Sequence, residues 1–204
     1  MMKTLTNPVK SFIEKEICDK IFSISEYDRK QILLGHTARN FDDYRTSIIT
    51  RHNKKYPTIP HYVIKRDGDI VNLVPTNYVT KLFGYHEIDS SSISIFLENL
   101  GWLSPTKNKI QLTDWLGNIY KGETINKKWR GKILWEPYSD IQMNSTIELI
   151  NELCDNNNIN KNFIGHNVKV SGIEHFEGIT TRSNYSMYFT DLSPAFDYEK
   201  LKNL

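Results

Sequence analysis

Two segments in the carboxy-terminal fifth of the chain decide its fold, and they read Phe163-Ile164-Gly165-His166 and Thr190-Asp191-Leu192-Ser193-Pro194-Ala195-Phe196. In the first, a histidine follows a short apolar run, and in the second an aspartate stands beside a Ser-Pro turn. A second histidine, His36, stands far upstream, just after the apolar run 32–34. Two imidazoles and one carboxylate suit zinc, with a fourth position left open for water. The rest of the chain is expected to be the scaffold that brings positions 36, 166 and 191 together.

The bulk composition predicts one ordinary globular domain. A chain of 204 residues is long enough for one well-buried core and short for two. A net charge of +2 argues against a strong electrostatic hold on nucleic acid or on an anionic membrane. Only Cys18 and Cys154 are present, without a CxxC pair, which argues against a disulfide framework.

Targeting and membrane segments are not visible in the sequence. Residues 1–10 have no apolar run of the kind that a secretory signal needs. No uncharged apolar run approaches the roughly 20 residues that span a bilayer. We therefore expect synthesis in a cytoplasm without a signal peptide, no stable membrane insertion, and a monomer.

The first 28 residues are expected to form a helical prefix to a domain that covers 29–204. Ile13, Ile17 and Ile21 recur at the helical spacing of four and form one apolar stripe. The stripe is expected to pack on the domain, and the alternative is a docking segment for a partner.

Four strands are indicated in the first half of the domain. One is short, apolar and ends at His36. Residues 59–66 and 69–74 form a hairpin, and Asp67-Gly68 between them favours a type I′ turn. Residues 92–99 alternate, with Ile93, Ile95 and Leu97 on one face and Ser94, Phe96 and Glu98 on the other. This pattern predicts a central strand with one face on the core and one face open to a cleft.

The second half is expected to contain an aromatic insert, a long helix and one more strand. Residues 100–138 hold all four tryptophans, and residues 114–122 suggest a small hairpin. Interleaved aromatic and basic residues there leave two alternatives, a sugar platform or an insert that packs on itself. A helix is predicted from about residue 140 to 155, with Ser139 as its cap and Gln142 completing a capping box. Residues 163–166 are expected to be a strand that delivers His166.

Two histidines and an aspartate at these spacings are weak evidence when taken alone, but the order of the motifs is informative. The chain shows a strand ending in His36-Thr37, the hairpin that begins with His61-Tyr62, the Ser-Ile-x-Ile strand, a capped helix, Gly165-His166 and the final Thr-Asp-x-x-Pro-Ala-Phe. In this order it resembles the zinc-dependent N-acetylmuramoyl-L-alanine amidases, over roughly residues 30–200. Among that family it is most similar to bacteriophage-encoded forms.

The resemblance implies a fold, a cofactor and a set of site residues. The fold is a single α/β domain with a mixed central sheet flanked by helices. Zinc is the implied cofactor, with His36, His166 and Asp191 as ligands, and bacterial peptidoglycan is the implied partner. The reaction is hydrolysis of the amide between N-acetylmuramic acid and L-alanine. The remaining candidates are His61 for catalysis, and His86, Tyr62 and Phe96 for substrate binding.

Two positions depart from the family pattern. Many relatives carry a glutamate as general base where this chain has Phe96, so Glu98, two residues on, either takes over the proton transfer or is a bystander. The family lysine two residues before the third ligand is Phe189 here. Arg182 lies in a longer loop before Asp191 and is either the cation that stabilises the oxyanion or a surface arginine.

Three functions remain open from the sequence. The first is an active amidase, a phage lysin or virion-associated enzyme, that degrades the bacterial cell wall. The second is a peptidoglycan-binding module without catalysis, which the missing glutamate favours and the intact ligand set opposes. The third is a cytosolic amidase that recycles soluble muropeptides, which fits the absence of a signal peptide.

Overall fold

The computed structural model describes residues 9–11, 23–51, 59–83 and 85–204. The apolar stripe predicted for the prefix lies outside these residues. The strands are β1 (Lys10–Ser11), β2 (Gln31–His36), β3 (Tyr62–Ile64), β4 (Ile70–Asn72), β5 (Ser92–Leu97), β6 (Trp102–Pro105), β7 (Leu112–Thr113), β8 (Ile119–Tyr120), β9 (Ile125–Trp129), β10 (Lys132–Trp135) and β11 (Gly178–Thr181). The helices are α1 (Phe41–Arg51), α2 (His86–Ser91), α3 (Asp140–Asn157), α4 (Arg182–Tyr185) and α5 (Glu199–Lys202), with a 3-10 turn at Ile173–His175.

A mixed six-stranded sheet, in the order β1-β4-β3-β5-β2-β11, forms the centre of the domain. Strands β3, β5, β2 and β11 are mutually parallel, and β4 pairs antiparallel with β3. The carboxyl ends of the four parallel strands therefore meet at one edge of the sheet, where ligands of such sheets gather. The α/β fold with a mixed central sheet flanked by helices is confirmed.

Apolar clusters cover both faces of this sheet. Ile93, Ile95 and Leu97 of β5 pack with the buried face of α3, whereas Phe96 packs with Leu33 and residues of α1. Each strand residue of β5 is buried. The central position of β5 is as predicted, but the expectation that its second face opens to a cleft is wrong, because the cluster that includes α1 closes that face.

The hairpin of β3 and β4 forms as predicted, but its turn type differs. Gly68 N donates to Lys65 O over 2.9 Å, and Lys65 N donates to Asp69 O over 2.9 Å. Gly68 has a φ of 85°, while Asp67 is not among the residues with positive φ. A type I′ turn needs positive φ at both central residues, so the prediction is wrong. The loop is a type I turn followed by a left-handed glycine.

Helix α3 begins where its cap predicts and ends two residues later than expected. The Ser139 side chain accepts a hydrogen bond from Gln142 N, and Asn158 ends the helix in the left-handed conformation. The reciprocal half of the predicted capping box does not form. The Gln142 side chain instead donates to Ile64 O and Glu98 O, over 2.9 and 3.0 Å, because these carbonyls at the sheet edge are buried.

The predicted strand at residues 163–166 is also wrong. Only Phe163 makes a bridge, to Ile179 of β11, and His166 lies in a turn. Gly165 has a φ of 105°, a conformation that ends extended backbone there. The edge strand beside β2 is β11, which the sequence reading did not identify.

The aromatic insert forms a second, five-stranded antiparallel sheet in the order β8-β7-β6-β10-β9. Its β7–β8 pair is the small hairpin predicted at residues 114–122. Trp135 is fully buried, Trp129 packs on it at 5.6 Å, and Lys132 lies 3.4 Å from the centre of the Trp102 ring. These contacts favour the alternative in which the insert packs on itself.

Within the part of the chain that the structure describes, none of the helices combines the length and the apolar character that a bilayer crossing requires.

Candidate active site

His36 and Asp191 lie together at the carboxyl edge of the parallel strands. His36 is the last residue of β2, and its backbone N donates to Asp191 Oδ2 over 3.2 Å. Both residues are buried, with 4% and 1% of their surface exposed. A Cβ added at Gly35 would stand 2.7 Å from Asp191 Oδ2, so the glycine permits this approach. Two of the three predicted zinc ligands are therefore neighbours.

Arg182 joins this pair directly. It follows β11 at the same edge, and its Nε donates to Asp191 Oδ2 over 2.5 Å. The guanidinium carbon lies 4.7 Å from the centre of the Phe96 ring and 4.7 Å from that of the Phe189 ring. Only 14% of the side chain is exposed, so the alternative of a surface arginine is wrong. The two positions that depart from the family pattern, 96 and 189, are the two rings that enclose this cation.

His166 lies in a pocket of aromatic rings. Its ring is 4.8 Å from Trp129 of the insert and stacks on Tyr198 at 4.3 Å. The Tyr198 hydroxyl donates to Leu192 O over 2.6 Å, which links the pocket to the residue after Asp191. Within the described residues, the buried Nε2 of His166 has no hydrogen-bond partner. Such an orphaned nitrogen is a candidate ligand atom.

Both imidazoles are held in the neutral form that a metal requires. Burial lowers the pKa of His36 to about 4, where Asp191 opposes the shift and Arg182 adds to it. Burial, followed by the charges of Arg130 and Lys127, lowers the pKa of His166 to about 4. At neutral pH each ring therefore carries one lone pair on nitrogen, which is the donor that zinc accepts.

The donor chemistry fits zinc, but a finished coordination sphere is not formed. Across residues 9–11, 23–51, 59–83 and 85–204, no three His, Cys, Asp or Glu side chains stand close enough to hold one metal ion. His36 and Asp191 are brought together, whereas His166 stacks on Tyr198 and does not join them in one group of ligands. The assignment of these three residues to zinc stays a prediction.

Glu98 lies at the same edge but is engaged within the protein. Its Oε1 accepts from Phe41 N over 3.0 Å and from Arg66 Nη1, and its Oε2 accepts from Arg66 N over 3.2 Å. Arg66 also pairs with Glu136 at 2.9 Å. A carboxylate held by three donors has little freedom to shuttle a proton, so the geometry favours the bystander alternative.

His61 occupies a satisfied site in the core. Its Nδ1 accepts from Ser94 N over 3.0 Å, which leaves Nε2 to donate to Tyr78 O over 2.9 Å. The residue is fully buried, and burial lowers its pKa to about 3. Both nitrogens are therefore bonded inside the protein, and the predicted catalytic role receives no support from this geometry.

The predicted substrate-binding residues are scattered. Phe96 forms the floor under Arg182. Tyr62 packs against the α3 side of the core, where burial raises its pKa to about 12. His86 is exposed at the start of α2 and meets Tyr27 edge to face at 5.6 Å. Because α2 leads into the amino end of β5, His86 lies at the sheet edge opposite His36.

Four residues that the sequence reading did not single out line the site. Tyr138 places its hydroxyl 3.4 Å from His36 Nδ1, and Trp129 and Tyr198 enclose His166. Arg130, at the tip of the β9–β10 hairpin, contacts the segments that carry the site. For the three that lie in the insert, the interleaving of aromatic and basic residues was the available indication, but it predicted a sugar platform or an insert that packs on itself.

The family model described as N-acetylmuramoyl-L-alanine amidase matches residues 26–181 of the chain. The match includes His36, His166 and every strand of the central sheet except β1, and it ends before Asp191. No curated protein sequence matches the chain.

Several solved structures share the fold at low identity. The N-acetylmuramoyl-L-alanine amidase LysC from Clostridium intestinale URNW is 13% identical, covers 97% of each chain and has a TM-score of 0.56. The Ph2119 endolysin from Thermus scotoductus MAT2119 bacteriophage Ph2119 is 12% identical over 96% of this chain and 97% of that one, with a TM-score of 0.53. The amidase AmiD from E. coli, in complex with anhydro-N-acetylmuramic acid-L-Ala-D-gamma-Glu-L-Lys, is 16% identical over 86% of this chain and 56% of that one, with a TM-score of 0.52.

With the family model covering more than half of its length and the same fold in all three structures, the chain belongs to the N-acetylmuramoyl-L-alanine amidase family and is a peptidoglycan amidase.

Proposed function

We propose that the chain is a zinc-dependent hydrolase of the amide between N-acetylmuramic acid and L-alanine, with His36, His166 and Asp191 as the zinc ligands. Two observations carry the proposal: within the described residues the buried Nε2 of His166 has no partner, and His36 and Asp191 form a buried pair. A protein rarely leaves such a nitrogen unbonded, and a metal ion would satisfy it.

In this reaction the residues of the chain would hold the ligand Asp191 in place and neutralise the negative charge that develops on the substrate. When bound, zinc would supply the Lewis acidity that activates water and polarises the amide carbonyl. Asp191 is held by Arg182 and by His36 N through the same oxygen, Oδ2, and a fixed carboxylate of this kind has a defined direction toward a metal. The positive charge of Arg182 stands beside the site, where it would stabilise the developing oxyanion.

We propose further that the enzyme is a phage lysin or a virion-associated wall hydrolase and that it acts on the bacterial cell wall. Support comes from the structural neighbour that is named an endolysin, together with the resemblance to phage-encoded forms. The recycling alternative differs in substrate only, since it needs soluble fragments in place of the intact wall.

Family membership makes the chain an amidase, and the alternative of a binding module without catalysis has one observation in its favour. Glu98 is engaged by Arg66 and Phe41, and the usual position of the general base is Phe96. In that candidate the site would hold peptidoglycan without cleaving it.

One experiment separates these candidates. Purified protein is incubated with intact cell walls and, separately, with soluble muramyl peptides, and newly formed amino groups are measured. A lysin releases amino groups from walls, loses this activity with a chelator and regains it with zinc. Release from soluble fragments alone identifies the recycling enzyme, and binding to walls without release identifies the binding module.

A further inference from the structure

An arginine occupies a turn position that rarely accepts one. Arg130 and Gly131 connect β9 to β10, and the flanking Trp129 and Lys132 are paired, so the loop has two residues. Both have positive φ, 47° and 75°. Such turns strongly prefer Asn, Asp or Gly at both positions. This conformation is uncommon for a non-glycine residue and is typical of positions where the side chain has a specific role.

The Arg130 side chain ties together two loops of the site. Its Nη1 donates to Ser186 O over 2.8 Å and to Phe189 O, and its Nη2 donates to Ser183 O over 2.9 Å and to Asn167 Oδ1 over 2.5 Å. The first three acceptors belong to the segment that leads to Asp191. The fourth belongs to the residue that follows His166. A planar guanidinium with five donors can span such a set, whereas an ammonium cannot.

The neighbouring contacts reinforce this arrangement. The guanidinium lies 4.6 Å from the centre of the Trp129 ring, and that ring in turn packs on His166. Asn184, in the same segment as Ser183, donates to Gly165 O over 2.9 Å and to Val168 O over 2.8 Å. The hairpin tip therefore contacts both loops at the point where they are already joined.

We propose that Arg130 is a positioning residue that fixes the His166 loop relative to the segment carrying Arg182 and Asp191. The insert thereby sets the distance between the His166 loop and the segment that carries Arg182 and Asp191. The contribution of Arg130 to turnover rests on the proposed function. Arg130 acts through its hydrogen bonds to oxygen atoms of the protein and not through contact with the reacting atoms.

Three variants separate the side-chain contacts from the turn itself. Arg130→Asn suits the positive φ and cannot reach the four acceptors, so the hairpin keeps its turn and loses the contacts. Arg130→Lys keeps the positive charge but replaces the planar guanidinium, so that it cannot donate to all four acceptors. Lys128→Met is the matched control, because it removes an exposed cation from the same strand.

Hydrogen exchange of peptides covering residues 163–168 and 183–191 is measured for each variant, together with kcat and KM on a soluble muramyl peptide. For Arg130→Asn and Arg130→Lys we expect at least tenfold faster exchange in 183–191. We also expect kcat to fall about 10-fold to 100-fold, as a small misplacement of reacting groups does, with KM changed less than threefold. Lys128→Met should match the wild type.

Wild-type exchange in both Arg130 variants overturns the proposal, and so does faster exchange with an unchanged kcat. If the wild-type protein hydrolyses neither intact walls nor the soluble peptide, the proposed function fails. The exchange measurement then still decides whether Arg130 holds the two loops.

Discussion

Removal of the Arg182 guanidinium is expected to have an effect on stability that depends on zinc. In Arg182→Met, Asp191 keeps its charge with 1% of its side chain exposed and loses a donor at 2.5 Å. Breaking a buried ion pair from one side costs about 3–5 kcal/mol. Because 14% of the Arg182 side chain is exposed, we expect the lower end of that range in metal-free protein.

Bound zinc changes this expectation, because a divalent cation on Asp191 would compensate the carboxylate. The loss of stability should therefore shrink to about 1 kcal/mol or less in zinc-loaded Arg182→Met. Urea unfolding of wild-type and variant protein, each with chelator and with zinc, gives the four free energies required. Arg182→Lys, which keeps the charge, is the control and should lose less in both conditions.

A second substitution at this position, Arg182→Ala, tests the proposed role in catalysis. Loss of one oxyanion-stabilising group costs about 10²-fold to 10³-fold in kcat, and Arg182→Ala should show this loss while its zinc content stays at the wild-type level. Equal loss of stability with and without zinc would refute the placement of the metal on Asp191. Near-normal hydrolysis would remove Arg182 from the mechanism.

Three further predictions concern the scaffold of the site. Gly35→Ala places a Cβ 2.7 Å from both Asp191 Oδ2 and a ring carbon of Phe96, so urea unfolding should show a loss of about 1–3 kcal/mol and metal analysis a lower zinc content. Wild-type values for both would contradict the packing described. Glu98→Gln should lower stability by about 1–3 kcal/mol and kcat less than threefold, whereas a 100-fold fall in kcat at unchanged stability would make Glu98 the proton-transfer group. Burial lowers the pKa of His61 from 6.5 to about 3, so the unfolded chain binds more protons between these values and stability falls as pH drops through that window, by at most about 1.4 kcal/mol per pH unit from this group. His61→Gln should flatten the profile from pH 6.5 to 4, and an unchanged slope would show that this histidine does not titrate as described.

Local patterns predicted the elements that carry half of the site. The apolar run that ends at His36 and the alternation of residues 92–97 are properties of a few neighbouring residues, and both strands form. The cap at Ser139 likewise marks the start of α3. These elements depend on short-range periodicity, which a sequence shows directly.

The remaining parts of the site depend on contacts between distant segments. Arg182 meets Phe96 across 86 positions (182 − 96), and Trp129 meets His166 across 37 (166 − 129). No local pattern encodes such pairs. The turn at His166 was missed for a related reason, since an apolar run before a glycine fits a strand until the φ of Gly165 is known.

The most direct test of the central claim is the zinc content of the purified protein, measured alongside His36→Ala, His166→Ala and Asp191→Ala. We predict one zinc per wild-type chain and a clear loss in each variant, with Lys128→Met unchanged. A wild-type chain without zinc, or a His166→Ala variant that keeps it fully, would contradict the claim that these three residues hold the metal.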